Sequence, residues 1–318
     1  MDILYQLPLP QEICSKIFIF ACENRHTGLY LSILKQKLQI KNMNLVFPDK
    51  DKDVTKIDDT FINPLCEHPD IDIYFYTMFK NVTYINLSDS SVIGDIVHLK
   101  SLPNLTEIVL TRVGIYGDIV HLKSLKQLTK IHLGALDVVG DIVHLKSLHQ
   151  LTNISILSTD VCGDIIHLKS LHNLTNIDFY NTDVYGDIIH LKSLENLTKI
   201  DFNYSHICGD IVHLKSLHNL TNIGLNNSGV YGNIIHFKSL HNLRKLSLFN
   251  TSVLGDITHF KQLHNLTALY LNGNGVTGDI ASLNPLSNLK TVALHCTYIT
   301  GDKEAFKNSR NWSYCFLR

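Results

Sequence analysis

The chain has 318 residues, is 45% hydrophobic and carries a formal net charge of -1. That near-neutral balance argues against nucleic acid or an acidic membrane surface as the main partner. A single globular core of this length would usually split into domains, whereas an array that grows along one axis escapes the limit.

Residues 1–74 do not repeat and are expected to form a helical N-terminal cap. Pro10 opens a helix to about Cys22, with Glu12 near its positive end and Ile13, Ile17 and Phe20 or Ala21 as its apolar face. His26-Thr27-Gly28 breaks it, and Leu29 to Ile40 reads as a second helix with Leu31, Leu34 and Leu38 on one side. Asp49 to Asp59 is charged and poor in apolar residues, which predicts an exposed loop. Ile71, Ile73 and Phe75 alternate and lead into a first strand near Thr83 to Leu87. The N-terminus has no basic region and no long apolar run, so neither a signal peptide nor a membrane span is expected. Cysteines stand at 14, 22, 66, 162, 208, 296 and 315 without a CxxC pair, which favours reduced thiols in the cytoplasm.

From Gly94 the chain writes one unit repeatedly. Gly94-Asp95-Ile96-Val97-His98-Leu99-Lys100-Ser101-Leu102 returns as Gly117-Asp118-Ile119-Val120-His121-Leu122-Lys123-Ser124-Leu125. Gly-Asp recurs at 140, 163, 186 and 209, as Gly-Asn at 232, and again as Gly-Asp at 255, 278 and 301, always 23 residues on. A fixed period of this size marks a solenoid. In the unit from Gly186, the residues Ile188, Leu191, Leu194, Leu197 and Ile200 are spaced by three, which an α-helix cannot keep on one face but 3-10-like turns can. Ile200 and Phe202 then alternate with Asp201 and Asn203, the period of a strand. Each unit therefore predicts one short strand and one tight return that is not α-helical, with strands of successive units stacked in parallel. A column of Ser90, Thr159, Thr182, Ser205, Ser228, Thr251, Asn274 and Thr297 is suited to satisfy backbone groups of a buried turn; Val113 and Leu136 interrupt it, so backbone or water must compensate there. After Gly301-Asp302 the register lapses, and residues 303–318 predict a C-terminal cap with a helical turn at Glu304 to Asn308 and with Trp312, Tyr314 and Phe316 laid over the last edge.

The pattern Leu-x-x-Leu-x-x-Ile-x-Leu-x-x-Thr-x-Val-x-Gly-Asp-Ile resembles the leucine-rich repeat superfamily over residues 75–302, and the Gly-x-Ile is most similar to the plant type. Here the unit is one residue shorter than usual for that type, and Val97, Ile166 and Thr258 stand where proline is usual. The resemblance implies an α/β solenoid: a right-handed leucine-rich repeat with a parallel concave sheet of about ten rungs and short non-helical convex segments. It also implies a concave face that binds a protein or peptide. A second resemblance is shorter. Leu7-Pro8-Leu9-Pro10-Gln11-Glu12-Ile13 with Lys16-Ile17-Phe18 is similar to the start of an F-box, which implies docking of a ubiquitin-ligase adaptor and a role as a substrate receptor.

The sequence has no GxxxxGK[ST] loop and no HExxH. The column from His98 to His259 offers imidazoles in a line, and a metal-dependent enzyme built on the His and Asp columns is the alternative from another class. Metal sites need mixed ligands converging with a second shell, which a surface ladder lacks. No catalytic, cofactor or metal residue is therefore assigned, and no nucleic acid or membrane partner is expected. The outward strand positions vary between units and are rich in Asn, Asp and aromatics, the composition of a recognition face. They give a protein-binding set of Asn176, Asp178, Tyr180, Asn181, Lys199, Asp201, Asn203, Tyr204, Asn226, Asn227, Phe249, Asn250, Tyr270 and Asn272, with His295 beyond it.

Overall fold

The structure, a computed structural model, describes residues 55–58 and 73–317. The two expected N-terminal helices and the F-box-like segment lie outside the described residues.

The 23-residue unit builds a rung with two strands rather than one. The Ile-x-Leu strand joins a twelve-stranded sheet, and the Val-x-Gly-Asp segment, expected as a turn, is a strand in a second sheet of ten. Both sheets are parallel. In the first, like faces like: Ile177 pairs with Ile200 and Ile200 with Ile223. In the second the register slips by two residues per rung, so that Gly186 faces Ile207. Between the second sheet and the next rung lies a 3-10 turn of four to six residues, such as Ile188–Leu191. It is the non-α-helical convex connection that a spacing of three requires. Ile188, Leu191, Leu194, Leu197, Ile200, Phe202 and Ile207 all point inward and are fully buried, and Phe179 stacks on Phe202 at 6.0 Å. No rung closes this core alone; each covers its neighbour.

Two side-chain ladders tie rung to rung, and a third caps the turn within each rung. Thr106, Thr129, Thr152, Thr175, Thr198 and Thr221 each give both the backbone N–H and the hydroxyl to the carbonyl 23 residues earlier, at 2.7–3.1 Å. The asparagines of Asn-Leu-Thr donate through Nδ2 to the carbonyl 24 residues back, as Asn196 does to His172 at 2.9 Å. The Asp that follows each Gly caps its 3-10 turn; Asp187 Oδ1 accepts from the N–H of Ile189 at 2.7 Å. This capping hydrogen bond holds Asp256 below the usual carboxylate range against a weaker opposing effect of burial.

The Ser/Thr column behaves as expected, and its gaps explain a change in strand length. Ser90, Thr182, Ser205, Ser228 and Thr251 donate to the carbonyl three residues earlier at 2.6–3.0 Å. The strands before Val113, Leu136 and Thr159 run five residues, Glu107–Thr111, Lys130–Gly134 and Asn153–Leu157, against three in the rungs that follow. Val113 and Leu136 have no hydroxyl, and that of Thr159 is buried without a partner. Without the side-chain bond the carbonyls stay in the inter-strand ladder, so backbone is the compensating partner.

The N-terminal end departs from expectation, and the C-terminal end keeps the expected helical turn but adds a strand. Lys56–Ile57, read as exposed loop, pairs in parallel with Tyr84 and Ile85 and buries Ile57 completely. Ile73–Met78 forms a 3-10 turn where alternation suggested an extended lead-in. At the other end, helix α1 (Lys303–Asn308) is capped by Asp302, and Phe306 packs on Trp312 at 4.9 Å with Arg310 over the indole. Tyr314–Phe316 does not lie across the edge; it pairs in register with Thr291–Ala293 as a further strand.

Candidate functional site

Strand alternation sends every second residue of the twelve-stranded sheet out of the core. One outward column reads His132, Ser155, Asp178, Asp201, Gly224, Ser247, Tyr270, Ala293 and Phe316, each 23 residues from the last. Asn176 and Lys199 stand beside it at the strand starts, and Tyr180, Asn203, Asn226, Phe249 and Asn272 follow the strands on the same side. The structure thus brings the expected set onto one surface, though its members differ in availability.

Asp178 and Asn203 are buried, and Asn203 and Asn226 are occupied in joining rungs. Asn203 Oδ1 accepts the N–H of Asn226 at 2.7 Å. Asn226 Oδ1 accepts from the Ser247 hydroxyl at 2.8 Å and the Phe249 N–H at 2.7 Å. Asn176 Nδ2 donates to Asn153 Oδ1 at 3.0 Å. Asn181, Tyr204, Asn227 and Asn250 lie in left-handed backbone at φ 53°, 58°, 53° and 53°, on the rim just past the strands. There Asn250 Nδ2 donates to Asn227 Oδ1 at 2.9 Å.

What remains open is an aromatic and charged patch. Tyr180 and Tyr204 are 41% and 50% exposed and meet edge to face with ring centroids 5.6 Å apart. Phe249 and Tyr270 are half-buried further along. Lys199 Nζ pairs with the Asp178 carboxylate. Asp201 and Asn203 lean over Gly224, where a Cβ would come within 2.8 Å of the Asp201 carboxylate, so the patch is recessed at that point. The column continues into residues that alternation alone did not single out. His132 is half-buried, and Phe316 meets His295 at 4.5 Å. The 23-residue offset from Asp178 points to both.

Burial, reinforced by the like charge of Asp178, raises the Asp201 carboxyl above its ordinary value; the Asn203 N–H, Lys199 and Lys245 oppose this. Burial lowers His132, with Asp178 opposing and Lys199 adding to it. A carboxyl raised in the folded state binds protons more readily there than in the unfolded chain. Stability therefore falls as pH rises through the unfolded value of about 3.9 towards the raised one, and stays reduced above it. Asp201→Asn is expected to melt higher than the parent at pH 7, and the gap should close below about pH 4. A lower melt for the variant at pH 7 would show that the carboxylate is a net stabiliser.

Among the described residues no group of three or more His, Cys, Asp or Glu is placed to hold a metal, and no helix is long and apolar enough to cross a membrane. Cys162 and Cys208 project from the second sheet as free thiols, each held above its usual value by partial burial and nearby Asp carboxylates.

No protein-family model and no curated protein matches the sequence. Solved structures do. The plant peptide hormone receptor RGFR1 in complex with RGF2 aligns over 82% of this chain and 53% of its own at 18% identity and a TM-score of 0.62. The LRR ectodomain of the receptor kinase GASSHO1/SCHENGEN3 from Arabidopsis thaliana, in complex with Casparian strip integrity factor 2, aligns over 82% and 37% at 21% and 0.65. An internalin, InlF, from Listeria monocytogenes aligns over 88% and 92% at 21% and 0.61. The chain spans about half or less of the length of the two plant structures. With these neighbours, the repeated rungs and the parallel concave sheet, the chain has the fold of a leucine-rich repeat solenoid.

Proposed function

We propose that the concave sheet is a docking surface for a protein or an extended peptide, centred on Tyr180, Tyr204 and Phe249, and that the chain is a non-enzymatic interaction module. The observation that carries this is Tyr204. The rim position is left-handed from rung to rung, filled beside it by Asn181, Asn227 and Asn250, which tolerate it, and further away by Arg112, Ala135, Ser158 and Cys296; Tyr204 is the one aromatic among them, and a bulky aromatic there is strained. Such strain, about 1–3 kcal/mol, collects at functional positions. The ring it supports is half exposed and meets Tyr180 edge to face, and large rigid aromatics lose little entropy when they bury area on a partner. The neighbours add weight: RGFR1 is in complex with RGF2 and the Arabidopsis ectodomain with its integrity factor. The free thiols of Cys162 and Cys208 support a reducing, intracellular setting.

Tyr204→Asn is expected to melt no lower than the parent and to lose partner affinity by about tenfold or more, the size of a hot-spot truncation. Tyr180→Ala and Phe249→Ala should weaken binding in the same way with the fold intact. Isothermal titration with a partner recovered from the native cell reads the affinities. If all three variants bind as the parent does, the concave reading fails. The F-box-like run Leu7–Phe18 supports a second attachment, to a ubiquitin-ligase adaptor; recovery of that adaptor with the full chain but not with one lacking residues 1–74 is the test.

A further inference from the structure

The convex side carries a feature that the fold does not use. From Lys100 to Lys261 every rung places a lysine at the same point of the convex connection, eight in unbroken succession, and all eight are exposed. Among the described residues none of the eight pairs with a carboxylate. Glu195 is the one acid in the convex column that otherwise reads Pro103, Lys126, His149, His172, His218, His241 and His264. The Asp caps stand at the opposite, N-terminal end of the same 3-10 turns, as Asp141 does from Lys146, and Asp137, Asp160 and Asp183 lie on the second sheet. The overall charge of -1 therefore divides on this side into a line of Asp caps and, parallel to it, a line of lysines.

The fold does not need that line. In the rung at Ile280–Leu283 the lysine position is Asn284 and the histidine position is Ser282, yet the same turn forms and Asp279 Oδ1 still accepts from Ala281 at 2.9 Å. Inward Ile and Leu are retained there; only the cationic columns end, and both end together. Neighbouring lysines stand one rung apart along the backbone, within a Debye length of about 8 Å, so like charges follow one another along the line. Repulsion repeated over eight rungs without a folding return calls for an anion.

The geometry selects among anions. Seven steps of roughly 4.8 Å make a line about 34 Å long. Serine follows seven of the lysines; Ser101, Ser124, Ser193 and Ser239 already donate to backbone carbonyls, and the hydroxyls of Ser147, Ser170 and Ser216 remain as further donors. No exposed Tyr, Trp or Phe stands on the described convex connections, whereas proteins that hold single-stranded nucleic acid stack its bases on aromatics. A DNA duplex, stiff over about 150 base pairs, turns its phosphates off a straight line. Lysines present point charges rather than planar forks, which suits a chain with many equivalent oxygens. We infer that the convex lysine ladder is a binding site for a flexible inorganic phosphate chain.

The probe is polyphosphate long enough to span the ladder, titrated with the full chain over a range of salt. Binding is expected, with log K falling linearly in log salt. Lys169→Gln, Lys192→Gln and Lys215→Gln together should reduce that slope by about 2, from roughly 0.7 per lost contact, and lower the affinity at physiological salt by about tenfold or more. Lys130→Gln, Lys245→Gln and Lys290→Gln together, away from the ladder, should change neither. No binding, an unchanged ladder variant or an equal loss in the control would overturn the inference. So would tighter binding of a single-stranded oligonucleotide of equal charge, or capture by anionic vesicles without capture of polyphosphate.

Discussion

Removing residues 163–185, one whole period, leaves a folded solenoid one rung shorter. The cut joins Cys162 to Gly186, the residue that occupies the place of Gly163 one period later. Every rung-to-rung bond here links positions a fixed distance apart, so the Thr152 carbonyl meets Thr198 in place of Thr175 and the buried columns stay buried. Solenoid stability is close to a sum of rung terms and nearest-neighbour interfaces, so the variant gives up one increment and keeps a cooperative melt. Removing ten residues from the same rung should instead leave no cooperative transition, because the Leu and Ile columns, the Thr ladder and the Asp caps all lose register at once. Circular dichroism and urea titration read both. A whole-period deletion that unfolds, beside a ten-residue deletion that does not, refutes the solenoid account.

Gly186→Ala is expected to be severely destabilising and Gly275→Ala mildly stabilising, although both glycines sit in strands of the second sheet. Gly186 has φ +123°, a conformation only glycine adopts readily, and a Cβ there would come within 2.4 Å of the Asp164 carboxylate that caps the neighbouring turn. The strain is worth about 1–3 kcal/mol and a displaced cap about 0.5–2 more. Gly275 carries no positive φ, and its added Cβ meets Leu254 Cβ and the Val253 carbonyl oxygen at an ordinary 3.5 Å. Alanine there restricts the unfolded chain and should add about 0.4–1 kcal/mol. Urea midpoints of the two variants should move in opposite directions; movement in the same direction would mean that backbone conformation does not govern these positions.

The period, the inward Ile and Leu columns and the hydroxyl column were legible because each depends on local spacing alone. The second sheet was not. Val184-Tyr185-Gly186-Asp187 contains two turn signals, and Gly186 is a turn residue in every local sense. It stands in a strand because its segment pairs in parallel with residues 162–164 of the previous rung and 206–208 of the next, pairing that a single rung does not contain. Ile57 was missed because its strand lies 28 residues before Tyr84 and so falls off the 23-residue comb. The outward face proposed for docking was legible in outline, since alternation tells inward from outward. It does not tell a free asparagine from one that is consumed: Asn203 and Asn226 look like binding residues and are cross-rung connectors. The strain at Tyr204 was likewise invisible, because it follows from the backbone of the rim rather than from the identity of the residue.

The claim that partners dock on the concave sheet is tested most directly by position-specific photo-crosslinking. A crosslinking side chain is placed singly at Tyr204, at Tyr185 on the second sheet and at Lys192 on the convex connection, all three exposed positions in neighbouring rungs. The account predicts one protein or peptide adduct from Tyr204 that competes with unlabelled partner, and none from the other two. The same adduct from Tyr185 or Lys192, with Tyr204 silent, would contradict it.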